Sequence, residues 1–585
     1  MKKLLYFAAV AVCASSLSSC ESFLDTTNYW SKTTEDFPAN QADAEQILTG
    51  IYNNLNVSIG NNVHQNHFLW SLAASDDCLG GGGANDQAMQ AHDLLLNFGA
   101  NLYEGFYKDR YTGIARANVA IETFPNCGLD EATLNQYLGE AYFLRAWYYY
   151  ELASMFGNIP CPVTSAADAT QPQIGGEALW GQILQDAKAA ADMMPSTIAD
   201  RGNGHVDKYC AQALLGRAYL FYSGFYGDED VTLPNGETLT KADVQAAIAD
   251  CVQNSGYSLV PEYHNLWAYT NRVSVDDELS PYKGKGYAYV CDDYKVNPEA
   301  MFIVKFNTQP DWGTTVGYSN QTALYVGVRG QSDFVNHFPF GTGWGMCPVS
   351  PALVADWKAT EPNDPRLDAS IISVDKFSSY TFGGDSNIQE TGYYQTKLMP
   401  ISGRKADDSG FWHCYANTMY PGLTWANDTN DDMQLCCIDD QVMIRFAEVL
   451  LMDAELNNNQ ASFDAVRARA GLPSKPLTEE NLRNERRWEL AFEGVRYNDM
   501  RRYGEAYAVA ALNKQEGVEC YNSGAKGTND ASKFNGGYGN RYSQTKGFVP
   551  IPAAQISLSS GSGPEYTYQQ NPGWGTTDAE FGGWL

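Results

Sequence analysis

Apolar residues recur at helical spacing in the first part of the chain and again near its end. In AEQILTGIYNNL, the apolar residues Ile47, Leu48, Ile51 and Leu55 fall three or four positions apart, so they share one face of a helix. The same spacing predicts two helical pairs further along and one helix near the end. The predicted ranges are 44–55, 102–124, 134–156, 177–194, 206–226 and a segment that starts at residue 444.

Two of the predicted helices carry the same motif of small residues. The pattern A-x-x-x-R-A occurs at 141–146 and again at 213–218, with a tyrosine close behind each copy. Alternation of small and aromatic positions is typical of tetratricopeptide helices, which stack in pairs. The helix that starts at residue 444 is similar, although it lies far away in the sequence. We therefore predict a mainly α, tetratricopeptide-like scaffold that is built from both ends of the chain.

The middle of the chain, residues 228–440, follows a different pattern. Glycine, asparagine, aspartate, tyrosine and tryptophan are dense there, and helical periodicity fades after Cys251. Residues 300–306, AMFIVKF, are the best strand candidate, and 348–357 predict a short helix. The pattern predicts a loop-rich elaboration with minor β structure. Long loops on a rigid scaffold often carry function.

The amino terminus reads as a secretory leader. Lys2 and Lys3 precede an apolar run over 4–14 that is too short to span a bilayer. The sequence LSSC that ends at Cys20 resembles a bacterial lipobox, which implies that Cys20 becomes the lipidated first residue of the mature protein. No other segment is apolar enough to span a membrane, so we expect a tethered protein.

Composition narrows the class of partner. The 585 residues carry a formal net charge of −30, which argues against nucleic acid as a ligand. Aromatic residues make up 13% of the chain, which suits a surface that stacks on sugars. Large domains also place tyrosine at half-buried positions, which is the alternative explanation. Outside the leader the cysteines are widely scattered. The adjacent Cys436 and Cys437 lack the two-residue gap of a zinc or redox motif.

A charged helix is predicted in TEENLRNERRWELAFEGVRYNDMRRYG, residues 478–504. Thr478 is suited to cap it, and Glu485, Glu489 and Glu493 recur every four residues along one face. Gly494 predicts a bend or an end of the helix nearby. Arginines within helical reach of these carboxylates are Arg483, Arg486, Arg487 and Arg496. Paired carboxylates also serve glycosidases, but arginine neighbours lower their pKa and favour a structural role.

This stretch carries a family resemblance. R-x-E-R-x-x-E-L-A-F-E-G-x-R-Y-x-D-M-R-R, residues 483–502, resembles the carboxyl-terminal signature of the RagB/SusD family of surface glycan-binding lipoproteins. SFLDTT near the start and GFVPIPAAQISLSS and QQNPGW near the end are also similar to that family. The resemblance implies a signal peptide over 1–19, an amino-terminal helical part over 20–227, a ligand-binding elaboration over 228–440 and a carboxyl-terminal part over 441–585.

The resemblance also implies a function. A family member captures an oligo- or polysaccharide at the outer membrane, facing the cell exterior, and delivers it to a SusC-like TonB-dependent transporter. Family members place their ligand platform where loops after the first helices meet loops around the central strand. In this chain that implies Trp312 first, together with Trp70, Asp77, Tyr294 and Tyr318.

Signatures of catalysis and of cofactors are missing from the sequence. There is no H-E-x-x-H, G-x-S-x-G or P-loop motif, and we expect neither an enzyme nor a cofactor. The run NDTNDD at 427–432 is oxygen-rich enough for calcium, but it lacks the EF-hand pattern, so a solvated acidic turn is the simpler expectation. Two alternatives stay open. A surface glycoside hydrolase would need two unpaired carboxylates across an aromatic cleft, and a protein-interaction scaffold would bury its loop aromatics.

Overall fold

The computed structural model describes residues 37–56, 66–167, 171–196, 201–313, 315–575 and 579–585. The predicted leader, Cys20 and the SFLDTT segment lie outside these described residues. Within them, no helix combines the length and the apolar character that a membrane crossing requires.

The amino-terminal part is a series of helices, as the sequence pattern predicts. Asparagine and aspartate caps start several of them; for example, the side chain of Asp207 accepts hydrogen bonds from the N–H groups of Tyr209 and Cys210. The helices are α1 (Gln41–Asn53), α2 (His67–Ala73), α3 (Gln87–Asp93), α4 (Glu104–Thr123), α5 (Glu131–Phe156), α6 (Gly176–Met193), α7 (Lys208–Tyr226) and α8 (Lys241–Asn254).

Helices α4 to α7 pack each against the next in chain order, which is the arrangement expected of stacked helical pairs. Small residues make this close approach possible. A Cβ atom at Gly113 of α4 would lie 2.5 Å from the ring of Tyr148 on α5, and one at Gly139 of α5 would lie 2.2 Å from Met194. Ala141 and Ala146 of the repeated motif are buried in the same core.

The middle of the chain consists of short elements and loops. Every sheet among the described residues is a two-stranded antiparallel pair. The middle helices are α9 (Arg272–Asp276), α10 (Gln321–Val326), α11 (Pro351–Thr360), α12 (Pro365–Ser370) and α13 (Ala416–Met419). The strand pairs along the whole chain are β1 (Ile159–Pro160) with β2 (Gln173–Ile174), β3 (Val231–Thr232) with β4 (Thr238–Leu239), β5 (Ala300–Val304) with β10 (Gln441–Arg445), β6 (Ile371–Ser373) with β7 (Tyr393–Gln395), β8 (Gly403–Arg404) with β9 (Phe411–Trp412), and β11 (Glu519–Asn522) with β12 (Ala525–Thr528).

The carboxyl-terminal part returns to the helical scaffold. Its helices are α14 (Phe446–Asn457), α15 (Gln460–Arg469), α16 (Glu479–Glu489), α17 (Arg496–Arg502), α18 (Glu505–Asn513), α19 (Gly537–Thr545) and α20 (Ala553–Ser559). Helix α14 packs on α8 and α7, and α17 packs on α7. The prediction that both ends of the chain build one mainly α scaffold is confirmed.

One predicted boundary is wrong, and the break predicted near Gly494 is confirmed. Residues 441–445 pair with β5 as a strand, so the helix expected from residue 444 begins at Phe446. Helix α16 ends at Glu489, five residues before Gly494, and a turn with positive φ at Phe492 (66°) and Gly494 (75°) leads into α17. Gly494 is needed in this turn because a Cβ there would lie 3.0 Å from the ring of Phe68.

Candidate functional site

Trp312 stands on the loop that follows β5. Its side chain is 56% exposed, and its indole N–H donates to Asp432 Oδ2 at 3.3 Å. The turn under it is held by Asp311, which accepts from the N–H of Gly313 at 2.6 Å and from the hydroxyl of Thr315 at 3.0 Å. The indole therefore has a fixed edge and a free face.

Tyr294 is a second exposed ring. It is 66% exposed, and it stacks on Tyr420 with the ring centroids 4.2 Å apart and the planes 22° from parallel. The hydroxyl of Tyr420 accepts from the backbone N–H of Asp293 at 3.1 Å. The pair offers one outward face on a support that is tied to the backbone.

One segment, residues 403–434, carries the supports of both rings. It begins with the β8–β9 hairpin, where half-buried Trp412 lies under the ammonium of Lys405, 4.4 Å from the ring centroid. Lys405 and His413 both reach Asp431, at 3.3 and 3.1 Å, next to the residue that holds Trp312. We define the aromatic face as Tyr294, Trp312, Trp412 and Tyr420, the four rings that this segment carries or contacts.

A small core beneath the aromatic face limits its movement. Cys414, Ala416 and Cys436 are buried together, and Trp425 packs against them. The loop is also tied to the exit of β5, since Thr308 donates to the carbonyl of Thr424 at 2.7 Å and accepts from the N–H of Ala426 through its own carbonyl at 2.9 Å. The aromatic face is thus held from both sides.

Tyr318 is half-buried and lines a cleft of about 360 Å³. This cleft separates the end of α1 from the loop after β5, which is where the family resemblance implies that the platform meets the first helices. Its other polar lining residues are Thr49, Tyr52, Asn53, Asn56, Asn203, His205, Lys305 and Asn307.

The cationic groups of this cleft are compensated. His205 Nδ1 lies 2.6 Å from Glu140, whose hydrogen bond raises the pKa of the imidazole, and Lys305 lies 2.8 Å from Asp440. The lining that remains is rich in amides, which suit hydroxyl groups.

Two predicted site residues are wrong because they are buried. Trp70, on α2, is 1% exposed and packs edge-on against Tyr497 with centroids 5.0 Å apart. Asp77 is also 1% exposed and accepts from Arg487 Nε at 2.9 Å. Neither side chain can reach a sugar at the surface, because tertiary packing buries both inside the scaffold.

The sequence reasoning also missed three members of this region: Trp412, Tyr420 and Asp432. Tyr420 and Asp432 gain their roles from partners that are far away in the chain, Tyr294 and Trp312. Trp412 instead packs under Lys405 of the same hairpin. The only sequence signal was the density of aromatic and acidic residues over 228–440, which does not distinguish these residues from their buried neighbours.

The carboxylates Glu485, Glu489 and Glu493 form a buried ionic network. Glu489 is 0% exposed and contacts three arginines, with Arg366 at 2.9 Å and Arg445 at 2.6 Å. The third is Arg469, which donates through Nη2. The remaining contacts are Glu485 with Arg366 and Arg467, both at 2.6 Å, and Glu493 with Arg445 at 2.6 Å and Lys397 at 2.7 Å.

The predicted partners of these carboxylates are wrong. The arginines within helical reach turn to other acids. Arg483 pairs with Glu479, Arg486 with Asp499, Arg487 with Asp76 and Asp77, and Arg496 with Asp76. Arginines from α12, β10 and α15 contact Glu485, Glu489 and Glu493 instead, because packing brings those side chains over this face of α16.

The network is unsuited to acid–base chemistry. Burial alone would raise the pKa of Glu489, but Arg469, Arg445 and Arg366 outweigh burial and hold its pKa far below the usual range. Glu493 shows the same balance, with its pKa lowered by Arg445 and Lys397. A carboxylate that stays ionised and enclosed cannot protonate a leaving group, so this face gives the hydrolase alternative no general acid.

The acidic run at 427–432 forms irregular 3₁₀ turns. Asn427 and Asp428 have positive φ angles of 50° and 58°. Asp431 is engaged by Lys405 and His413, and Asp432 by Trp312. Across the part of the chain that is described, no group of three or more histidine, cysteine, aspartate or glutamate side chains is arranged to hold a metal ion.

Comparison with known proteins identifies relatives over most of the chain. Residues 354–574 match the model of the SusD family, and residues 22–220 match a family described as starch-binding and associating with the outer membrane. SusD-like protein P38 of Formosa agariphila is 22% identical, over 84% of this chain and 90% of that protein. A laminarin-binding SusD-like protein of known structure is 25% identical with a TM-score of 0.66, covering 91% of this chain and 99% of that one. Surface glycan-binding protein A from Bacteroides fluxus has the same fold, with a TM-score of 0.67 at 23% identity over 92% of this chain and all of that one.

Proposed function

Because the chain belongs to the SusD family, we propose that it is a surface glycan-binding protein that captures an oligo- or polysaccharide on the aromatic face. The observation that carries the proposal is the exposure of Trp312 and Tyr294, each on a support that fixes its plane. Large aromatic rings are normally kept from water, so two fixed and exposed rings favour a ligand with a flat apolar face.

Stacking on such rings gives useful affinity without any chemistry. Removal of apolar area from water contributes about 25 cal/mol per Å², so one ring supplies about 1–3 kcal/mol. Several sites of this strength along one chain reinforce each other through effective concentration. A polysaccharide that contacts Trp312, Trp412 and the Tyr294–Tyr420 pair would therefore bind far better than a single sugar.

Affinity electrophoresis of the protein without residues 1–20 tests this proposal. Native gels would contain starch, laminarin, xylan, galactomannan, alginate or polygalacturonate, with serum albumin as the unretarded reference. We expect retardation by at least one polysaccharide and no release of reducing sugar from it. Migration that is equal in all six gels would contradict glycan binding, and release of reducing sugar would support the hydrolase alternative.

We further propose that Cys20 anchors the protein to the outer membrane. The lipobox-like sequence before it supports this, and the several acyl chains of a lipidated cysteine would anchor firmly, at about 0.8 kcal/mol per buried methylene. Cys20→Ala should release the protein from membranes or block its processing, as seen by fractionation and by the mass of the mature chain. Cys13→Ala, inside the leader, is the matched control. Processing and membrane retention like those of the wild type would refute the anchor.

A SusC-like TonB-dependent transporter is the partner that the family membership suggests. We propose that the bound glycan passes to such a transporter at the cell surface. Affinity purification from outer membranes in mild detergent should then recover a large β-barrel protein together with this chain. Recovery of this chain alone, under conditions that keep other outer-membrane complexes intact, would contradict the partnership.

A further inference from the structure

The charges around Trp312 are unevenly balanced. Three basic residues, two on the β8–β9 hairpin and one directly after β5, are already paired with carboxylates, so they have little charge to offer to a ligand. These pairs are Lys405–Asp431 at 3.3 Å, Arg404–Asp277 at 2.6 Å and Lys305–Asp440 at 2.8 Å.

Two carboxylates of the acidic run at 427–432 have no basic side chain paired with them in the described part of the chain. Asp432 accepts from the Trp312 indole at 3.3 Å and from the N–H of Gln434 at 2.8 Å, and Asp428 is exposed on the same turn. Neither takes part in a salt bridge within the described ranges. The surface beside the edge of the indole therefore carries negative charge. The exposed Lys295 follows Tyr294 in the chain, so its positive charge lies next to that ring.

From this arrangement we infer that the aromatic face selects uncharged glycans and that Asp432 is a specificity-determining residue. The inference rests on the proposed function and names the substrate class for the same site. A sugar that stacks on Trp312 must place its substituents beside Asp432, since the indole edge and the carboxylate are in contact.

The Asp432 carboxylate can accept hydrogen bonds from hydroxyl substituents but repels acidic ones. An ionised carboxylate has about four acceptor positions, and the contacts to Trp312 and Gln434 use two of them. The others can accept hydrogen bonds from sugar hydroxyls. A uronate or a sulfate has no proton to donate at neutral pH and is repelled, because like charges a few ångströms apart disfavour each other.

Chemically matched polymers test this inference. Hydroxyethyl starch and carboxymethyl starch add substituents of similar size to one backbone, and only the second is charged; laminarin derivatised in the same two ways gives a second backbone. We expect the protein without residues 1–20 to be retained about tenfold more weakly by the carboxymethyl form in low-salt native gels. The difference should shrink in about 0.5 M NaCl, where charges are screened over a few ångströms.

Variants separate the local charge from the overall net charge. Asp432→Asn keeps an oxygen for the Trp312 indole and should reduce the preference for the hydroxyethyl form severalfold. Glu565→Gln removes one exposed charge on the carboxyl-terminal segment and should leave the preference unchanged.

Four outcomes would overturn the inference. Equal or stronger retention by carboxymethyl starch or carboxymethyl laminarin would do so, as would an unchanged preference in Asp432→Asn. Retention only by alginate or polygalacturonate would refute the selection for uncharged glycans while leaving the proposed function standing. Absence of retention by every polysaccharide, neutral or acidic, would refute the proposed function and this inference with it.

Discussion

Glu489→Gln will lower the free energy of unfolding by about 3–5 kcal/mol, since breaking a buried ionic pair leaves its partner uncompensated. Glu489 is fully enclosed and holds Arg366, Arg445 and Arg469 at once. Glutamine has nearly the same shape but brings no negative charge, and its NH₂ group would point a donor at a guanidinium. The fall is measured by urea denaturation followed by circular dichroism.

Glu479→Gln is the matched control on the same helix. Glu479 lies in the first turn of α16, is 75% exposed, and pairs only with Arg483, four residues on. An exposed pair of this kind contributes about 0–1 kcal/mol, so this variant should unfold close to the wild type. If Glu489→Gln kept its stability but lost glycan retention or a catalytic activity, the structural role of the network would be refuted.

Trp312→Ala will weaken glycan retention by about tenfold or more while the melting temperature changes little. The loss corresponds to about 1.4 kcal/mol for each tenfold in affinity, within the range expected for one stacked ring. The fold should tolerate the change because the indole is 56% exposed and makes one hydrogen bond, to Asp432. Affinity electrophoresis and thermal denaturation of the same preparation give both numbers.

Leu558→Ala is the control for a lost exposed apolar side chain. Leu558, on α20, is 75% exposed and has no place in the aromatic face. It should change neither retention nor melting temperature. A large fall in the melting temperature of Trp312→Ala would show that the indole supports the core, and undiminished retention would remove Trp312 from the site.

The scaffold could be predicted from the sequence because its signals are local. Apolar spacing gave helices α4 to α7 to within about three residues, and Thr478 caps α16 as its sequence context indicates. The strand over 300–306 appears as β5. These elements depend on periodicity and on capping, which are properties of short windows of sequence.

The candidate site could be predicted only in part because its contacts are not local. Trp312 and Tyr294 are exposed, as a platform requires, but Trp70 and Asp77 are buried by residues more than 400 positions away. A pattern of residues does not reveal which aromatic side chain finds a tertiary partner. The arginines around α16 are a second example. Helical spacing allowed ion pairs within α16, but tertiary packing pairs Glu489 with Arg366, Arg445 and Arg469 instead.

The pairing of β5 with β10 has a consequence for how such proteins diversify. Residues 305–440 leave the scaffold from one strand and return on its antiparallel neighbour, about 4.8 Å away. An excursion whose two ends meet can lengthen, shorten or change composition without moving the helices that support it. Within it, Arg366 and Lys397 reach back to Glu485, Glu489 and Glu493, so they fix how the excursion is seated. The surface that the excursion presents could thus change while its two strands and these two basic side chains stay the same.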